Sequence, residues 1–161
     1  MSTIIVYYSL TGNVEWAVKR VAENLGADLL RLEPAKAYPD KGFKKFFWGG
    51  KSAVMAEKPT LIPYSFDAGR YDRVIFATPV WASTFTPPLR SFIRQNRDVL
   101  AGKSFAALLC FSGGGADKAL EKLRAELGIS EWIATLVLTD PKDRPKAGDE
   151  AQILEFCKKV S

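Results

Sequence analysis

Ser9-Leu10-Thr11-Gly12-Asn13 sits between an apolar run, TIIVYY at 3–8, and an amphipathic stretch that begins at Val14. Ser9 and Thr11 offer hydroxyl donors, and Gly12 lets the backbone approach a ligand closely. The amides of Gly12, Asn13 and Val14 fall at the start of a predicted helix, where they have no intrahelical partner. Those donors, together with the helix dipole, favour a phosphate. No Lys or Arg precedes Lys19, so an anion here is expected to be held by neutral donors alone. The same residues also suit an ordinary capped helix start, and the segment alone leaves both readings open.

Two further segments carry chemistry of a related kind. TPVWAST at 78–84 places Trp81 beside Pro79 and small polar residues. A Trp there can stack on a planar ring, or it can pack as a core residue. FSGGGAD at 111–117 has three successive glycines whose amides can face a polar ring edge, or simply form a flexible turn. Both segments, like the first, directly follow an apolar run.

The elements that must position these loops are legible as well. Apolar runs occur at 3–8, 27–32, 73–78, 104–111 and 132–138, and four of them are nearly continuous. Continuous runs suit strands covered on both faces, as in a parallel sheet between helices. Val14, Ala17, Val18, Val21, Ala22 and Leu25 form a helical stripe that Gly26 closes. Thr86 is placed to cap a helix opened by Pro87 and Pro88, with Leu89, Phe92 and Ile93 as its buried face. Ala116, Ala119, Leu120, Leu123 and Leu127 form the next stripe, and Ile153, Leu154, Cys157 and Val160 the last. This alternation predicts an α/β doubly wound fold in a single domain over 1–161. Ligands of such folds sit at the carboxyl ends of the strands. The three unusual loops follow the first, third and fourth strands. Together they offer a phosphate nest, an aromatic platform and a reader for a polar edge, an inventory that fits flavin mononucleotide (FMN).

Composition bounds the remaining possibilities. The chain has 161 residues, 47% hydrophobic and 25% charged, which suits one globular core. Its 23 Lys and Arg are scattered among 18 Asp and Glu, so the net charge of +5 forms no stripe that would read nucleic acid. The absence of histidine excludes any triad or metal site built on imidazole. Cys110 and Cys157 lie in apolar patterns and read as buried thiols rather than a disulfide. No signal peptide is recognised, and no apolar run is long enough to span a membrane, so a cytoplasmic location is expected. GGKS at 49–52 and AGKS at 101–104 end like a phosphate-binding Walker loop, but Lys45 and Arg97 stand where the first glycine is required. A receiver domain shares this strand order and would need acids where Ser9 and Thr78 stand.

Over nearly its whole length the chain resembles the flavodoxin-like superfamily. SLTGN is similar to the flavodoxin phosphate loop, usually T/S-x-T-G-x-T/S, and YDRVIFATPVWASTFTPPLRSFI at 71–93 resembles the third-strand region of flavodoxins and quinone reductases. The resemblance implies a five-stranded parallel sheet in the order 2-1-3-4-5, a helical insert between strands 2 and 3, and bound FMN. It places Ser9, Leu10, Thr11, Gly12, Asn13 and Val14 on the phosphate and Pro79, Val80, Trp81, Ala82 and Ser83 along the flavin. Ser112, Gly113, Gly114 and Gly115 then face the pyrimidine edge. Val14 stands where the family usually has a third hydroxyl, which implies weaker phosphate binding.

Within that resemblance three activities are open. One is an oxidoreductase passing electrons from NAD(P)H through FMN to a quinone or similar small acceptor. The second is a flavodoxin that carries single electrons between redox protein partners. The third is a flavin-binding regulatory protein with little turnover. Carrier flavodoxins are typically acidic, and the positive net charge here favours the first. No side chain is required as acid or base, so no catalytic residue is assigned. An amphipathic helix is predicted over 42–56, broken at Gly49-Gly50. Its Phe43, Phe46, Phe47 and Trp48 suit a cover for the flavin, a homodimer contact or packing on the core.

Overall fold

The computed structural model describes residues 2–38 and 58–161. The strands are β1 (Thr3–Tyr7), β2 (Asp28–Arg31), β3 (Arg73–Pro79), β4 (Ser104–Phe111) and β5 (Thr135–Thr139). All four pairings are parallel, in the order β2-β1-β3-β4-β5. The described helices are α1 (Asn13–Leu25), α2 (Pro87–Gln95), the short α3 (Arg97–Leu100), α4 (Ala116–Leu127) and α5 (Asp149–Val160). The helix predicted over 42–56 lies outside the described residues.

The period-2 geometry of strands explains why the central runs are apolar at every position. Ile5, Ile75, Ala106 and Leu108 point to one side, where Val14, Ala17, Val18 and Val21 of α1 and Ile153, Phe156 and Val160 of α5 cover them. Val6, Phe76, Ala107 and Leu109 point to the other side, against Leu89, Phe92 and Ile93 of α2 and Ala119 and Leu123 of α4. The doubly wound layering therefore follows from which faces are apolar.

β2 is a short edge strand, in keeping with its interrupted apolar run, and Leu29 remains 41% exposed. Three local readings are corrected by the structure. The fifth strand begins at Thr135, three residues after Trp132, because the chain joins the β4 ladder only there. Leu154 is exposed, and Phe156 takes the buried place on α5. Thr86 is the residue before α2 but makes no side-chain cap. Its hydroxyl pairs with that of Thr78 at 2.9 Å, and its amide donates to Thr78 Oγ1 at 3.0 Å. Cys110 and Cys157 are buried free thiols, as expected.

One charge cluster ties α2, α3 and α4 together. Glu126 accepts from Arg90 at 3.3 Å, Arg94 at 2.7 Å and Arg97 at 2.6 Å, and its side chain is only 9% exposed. Burial works to raise the Glu126 carboxyl, but hydrogen bonds from Arg94 and Arg97 hold it below the usual carboxylate range. A lowered folded value stabilises the protein above the ordinary glutamate range and loses that contribution as the pH falls through it. Glu126→Gln is expected to cost about 3 kcal/mol at neutral pH, because it strands the buried Arg90 guanidinium. Urea unfolding from pH 7 downward checks this, and the gap between variant and parent should narrow as the acid range is entered.

Candidate functional site

The loops that follow β1, β3 and β4 close around one cavity of about 460 Å³. Its lining includes Ser9, Leu10, Thr11, Asn13 and Val14 from the first loop, Pro79, Val80, Trp81, Ala82 and Ser83 from the second, and Ser112, Gly113 and Gly114 from the third. Of the residues singled out in the sequence, Gly12 and Gly115 lie just outside the lining. Cys110, Phe111 and Asp140 line it too, although sequence reasoning did not select them.

The first loop presents both of its hydroxyls as donors. Ser9 Oγ accepts the Glu15 amide at 3.2 Å, which satisfies one orphan N–H of α1 and leaves the Ser9 proton free to donate. Thr11 Oγ1 likewise accepts from Asn13 Nδ2 at 3.3 Å. Arg31 fixes the loop from behind, donating to the Ser9 carbonyl at 2.7 Å. Val14 is buried against the core, so only its amide is available to a ligand. The amides of Asn13 and Val14 open α1 and point along its positive end.

The Asn13 side chain is not part of the nest. Its Oδ1 accepts the amides of Lys142 at 2.9 Å and Asp143 at 3.3 Å, and its Nδ2 donates to Asp143 Oδ2 at 2.9 Å. This clamp lays the loop after β5 across the loop after β1. A Cβ built on Gly12 would lie 2.8 Å from Lys142 Cε, so the lysine side chain rests on the Gly12 backbone. The neutral donors read from the sequence thus have a charged neighbour. It is supplied by a segment 129 residues further along the chain.

The second loop is rooted by the Thr78–Thr86 hydroxyl pair. Trp81 and Thr84 exchange amide-to-carbonyl hydrogen bonds at 3.0 Å in both directions, with Ala82 at φ 50° and Ser83 at φ 60° between them. Positive φ at both central positions is the signature of a tight turn usually made by Asn-Gly, so this Ala-Ser pair is strained. Trp81 is half-buried. It meets Tyr38 at 5.2 Å and Tyr8 at 5.8 Å, both nearly perpendicular to it. The two tyrosines buttress the indole while it still lines the cavity.

In the third loop, Gly113 and Gly114 border open space, whereas a Cβ on Gly115 would come within 2.8 Å of Ser83 Cα. Gly115 thus serves as the contact between the second and third loops rather than as lining. The Ser112 hydroxyl donates to Asp140 Oδ1 at 3.0 Å, which leaves the backbone of this loop to meet a ligand. Arg144 donates to Asp140 Oδ2 and to the Ser112 carbonyl, each at 2.8 Å. Burial, with Asp140 and Asp149 nearby, pushes the Cys110 thiol far up, so it offers no nucleophile. Among the described residues no cluster of Cys, Asp or Glu could hold a metal ion, and no helix is long and apolar enough to cross a membrane.

The non-glycine residues with positive φ among those described are Ala82, Ser83 and Asp140, and all three line the cavity. Such a concentration of strain marks functional sites. The donor set suits a phosphate at one end, a planar ring along Trp81 and a polar edge at the glycines.

No family model matches the chain, and neither does any curated protein. Solved structures do. A structure from Bacteroides uniformis ATCC 8492, designated a candidate flavoprotein, is 20% identical with a TM-score of 0.77, covering 98% of this chain and 97% of its own. A flavoprotein of Lactobacillus acidophilus NCFM in complex with FMN is 14% identical with a TM-score of 0.74, covering 96% and 97%. Two-electron reduced Megasphaera elsdenii flavodoxin is 15% identical with a TM-score of 0.58, covering 99% of each chain. The chain has the flavodoxin-like fold.

The glycines give a direct check on this geometry. Gly115→Ala should destabilise the protein by at least about 1–2 kcal/mol, the cost of a left-handed conformation, plus the displacement of Ser83. Gly113→Ala has neither penalty and should stay within about 0.5 kcal/mol of the parent. Chemical denaturation of the two variants side by side measures the contrast.

Proposed function

We propose that the protein binds FMN in the strand-end cavity and acts as an oxidoreductase, passing electrons from NAD(P)H to a quinone or similar small acceptor. The residues present fit the group. The cavity volume falls within the roughly 300–1,000 Å³ of small-molecule sites. Ser9, Thr11 and the first amides of α1 would hold the phosphate, Pro79 to Ser83 would flank the ring, and the backbone of Ser112 to Gly114 would meet its polar edge. Bound FMN would supply the hydride and electron chemistry, and the chain's own residues would bind, orient and shield it. No acid or base is demanded of them, in keeping with the unreactive Cys110 thiol and the Asp140 carboxylate already engaged by Arg144.

The observation that carries the reading is the convergence of two free hydroxyl donors, a buttressed Trp and glycine amides on one cavity. The structural neighbour whose FMN complex is known supports it by analogy. The reductase reading rests on how few side chains would cover the ring. Among the described residues Trp81 and Phe111 are the aromatic side chains that line the cavity, and Gly113 and Gly114 add no side chain at the ring's polar edge. Such an arrangement leaves room for a nicotinamide to come within the roughly 3–3.5 Å that hydride transfer needs.

Titration of apoprotein should show FMN binding more tightly than FAD, because the nest closes around a terminal phosphate. Ser9→Ala and Thr11→Ala should each weaken FMN by about 10- to 150-fold, the cost of one hydrogen bond to a charged group, without weakening riboflavin equally. Anaerobic stopped-flow mixing of the FMN complex with NADH or NADPH should bleach the flavin promptly by two electrons. Inertness towards both nucleotides, with reduction by a redox protein instead, would replace the reductase with the electron carrier.

A further inference from the structure

Lys142 is a cation beside the first loop that the flavodoxin-like loop pattern does not explain. Its aliphatic end lies on the Gly12 backbone, and its Nζ is 3.7 Å from where a Gly12 Cβ would be. Its own backbone cannot drift, because the Lys142 and Asp143 amides both donate to the buried Asn13 side chain. Its head can move. Lys142 Nζ is paired with Asp143 Oδ1 at 2.7 Å, and the two side chains are 42% and 52% exposed. An exposed pair of this kind holds its partners weakly.

We propose that Lys142 is the counter-cation of the ligand's phosphate, held beside the nest by Asp143 until the phosphate arrives. The inference rests on the phosphomonoester reading of the nest made above. A phosphomonoester carries nearly two negative charges at neutral pH against one on Asp143. It also offers oxygens to an ammonium that has three donors. Exchange of Asp143 for phosphate therefore gains attraction. Asp143 then remains as an unfavourable negative neighbour. The two residues thus act in opposite directions on phosphate affinity, and neither has a reason to touch the flavin ring. The preference for the phosphorylated ligand over the free one is set by this pair as well as by Ser9 and Thr11.

The test uses fluorescence titration of full-length apoprotein with FMN and with riboflavin, in the parent, Lys142→Met and Asp143→Asn. Met retains the aliphatic cover on Gly12, and Asn retains a carbonyl oxygen for Asn13 Nδ2, so the loop clamp survives both changes. Lys142→Met should weaken FMN by roughly five- to tenfold, and Asp143→Asn should tighten it by a few-fold, with riboflavin unchanged in both. The salt-induced loss of FMN affinity should be shallower in Lys142→Met than in the parent. FMN binding unchanged in both variants overturns the role of Lys142 while leaving the nest intact. Equal shifts for FMN and riboflavin overturn it in favour of a purely structural strap. A parent that does not prefer FMN to riboflavin overturns the phosphate reading itself, and this inference with it.

Discussion

Everything at this site depends on the parallel register of three central strands. Tyr7 lies opposite Ala77 and Pro79 opposite Cys110, so β1, β3 and β4 end within a few residues of one another at the same edge. Parallel strands send every outgoing loop to that edge and every returning helix to a face. Segments far apart in the chain therefore meet there without being paired as strands. The register is enforced by burial on both faces, since a slip would drive Ile75 or Phe76 out of a layer that excludes water completely.

A core this well covered can hold strain at its rim. Ala82, Ser83 and Asp140 keep left-handed backbones because the loops that carry them are fixed on both sides. The Thr78–Thr86 hydroxyl pair closes the base of the second loop, Gly115 packs against its tip, and Arg144 ties Asp140 to the third. Such strain persists only when the surroundings over-determine it. The result is a cavity whose walls are set before any ligand enters, which lowers the ordering cost of binding.

The charges around the cavity are arranged as local pairs rather than as a field. Lys142 faces Asp143 and Arg144 faces Asp140. What the first loop offers an anion is a directed set of donors, with Lys142 beside it.

The layer architecture and the three loops were legible in the sequence because they depend on local pattern. Continuous apolar runs mean burial on two faces, stripes at helical spacing mean amphipathic helices, and the glycine and hydroxyl clusters at strand ends fall around one cavity. The same locality explains the misplacements. Leu154 and Phe156 are both apolar on one helix, and only the packing of α5 on α1 decides which is buried. Thr86 has the chemistry of a cap, and only the nearness of Thr78 turns its hydroxyl elsewhere. Asp140, Lys142 and Arg144 lie in a stretch, DPKDR, that carries no sequence signal linking it to the first loop. Tertiary structure alone brings that stretch onto Gly12, through the two amides that Asn13 accepts. Sequence by itself thus determined the scaffold and the neutral donors, which follow from residues near one another in the chain. The fold decided which distant charges stand beside them, because electrostatic neighbours are set by distance in space.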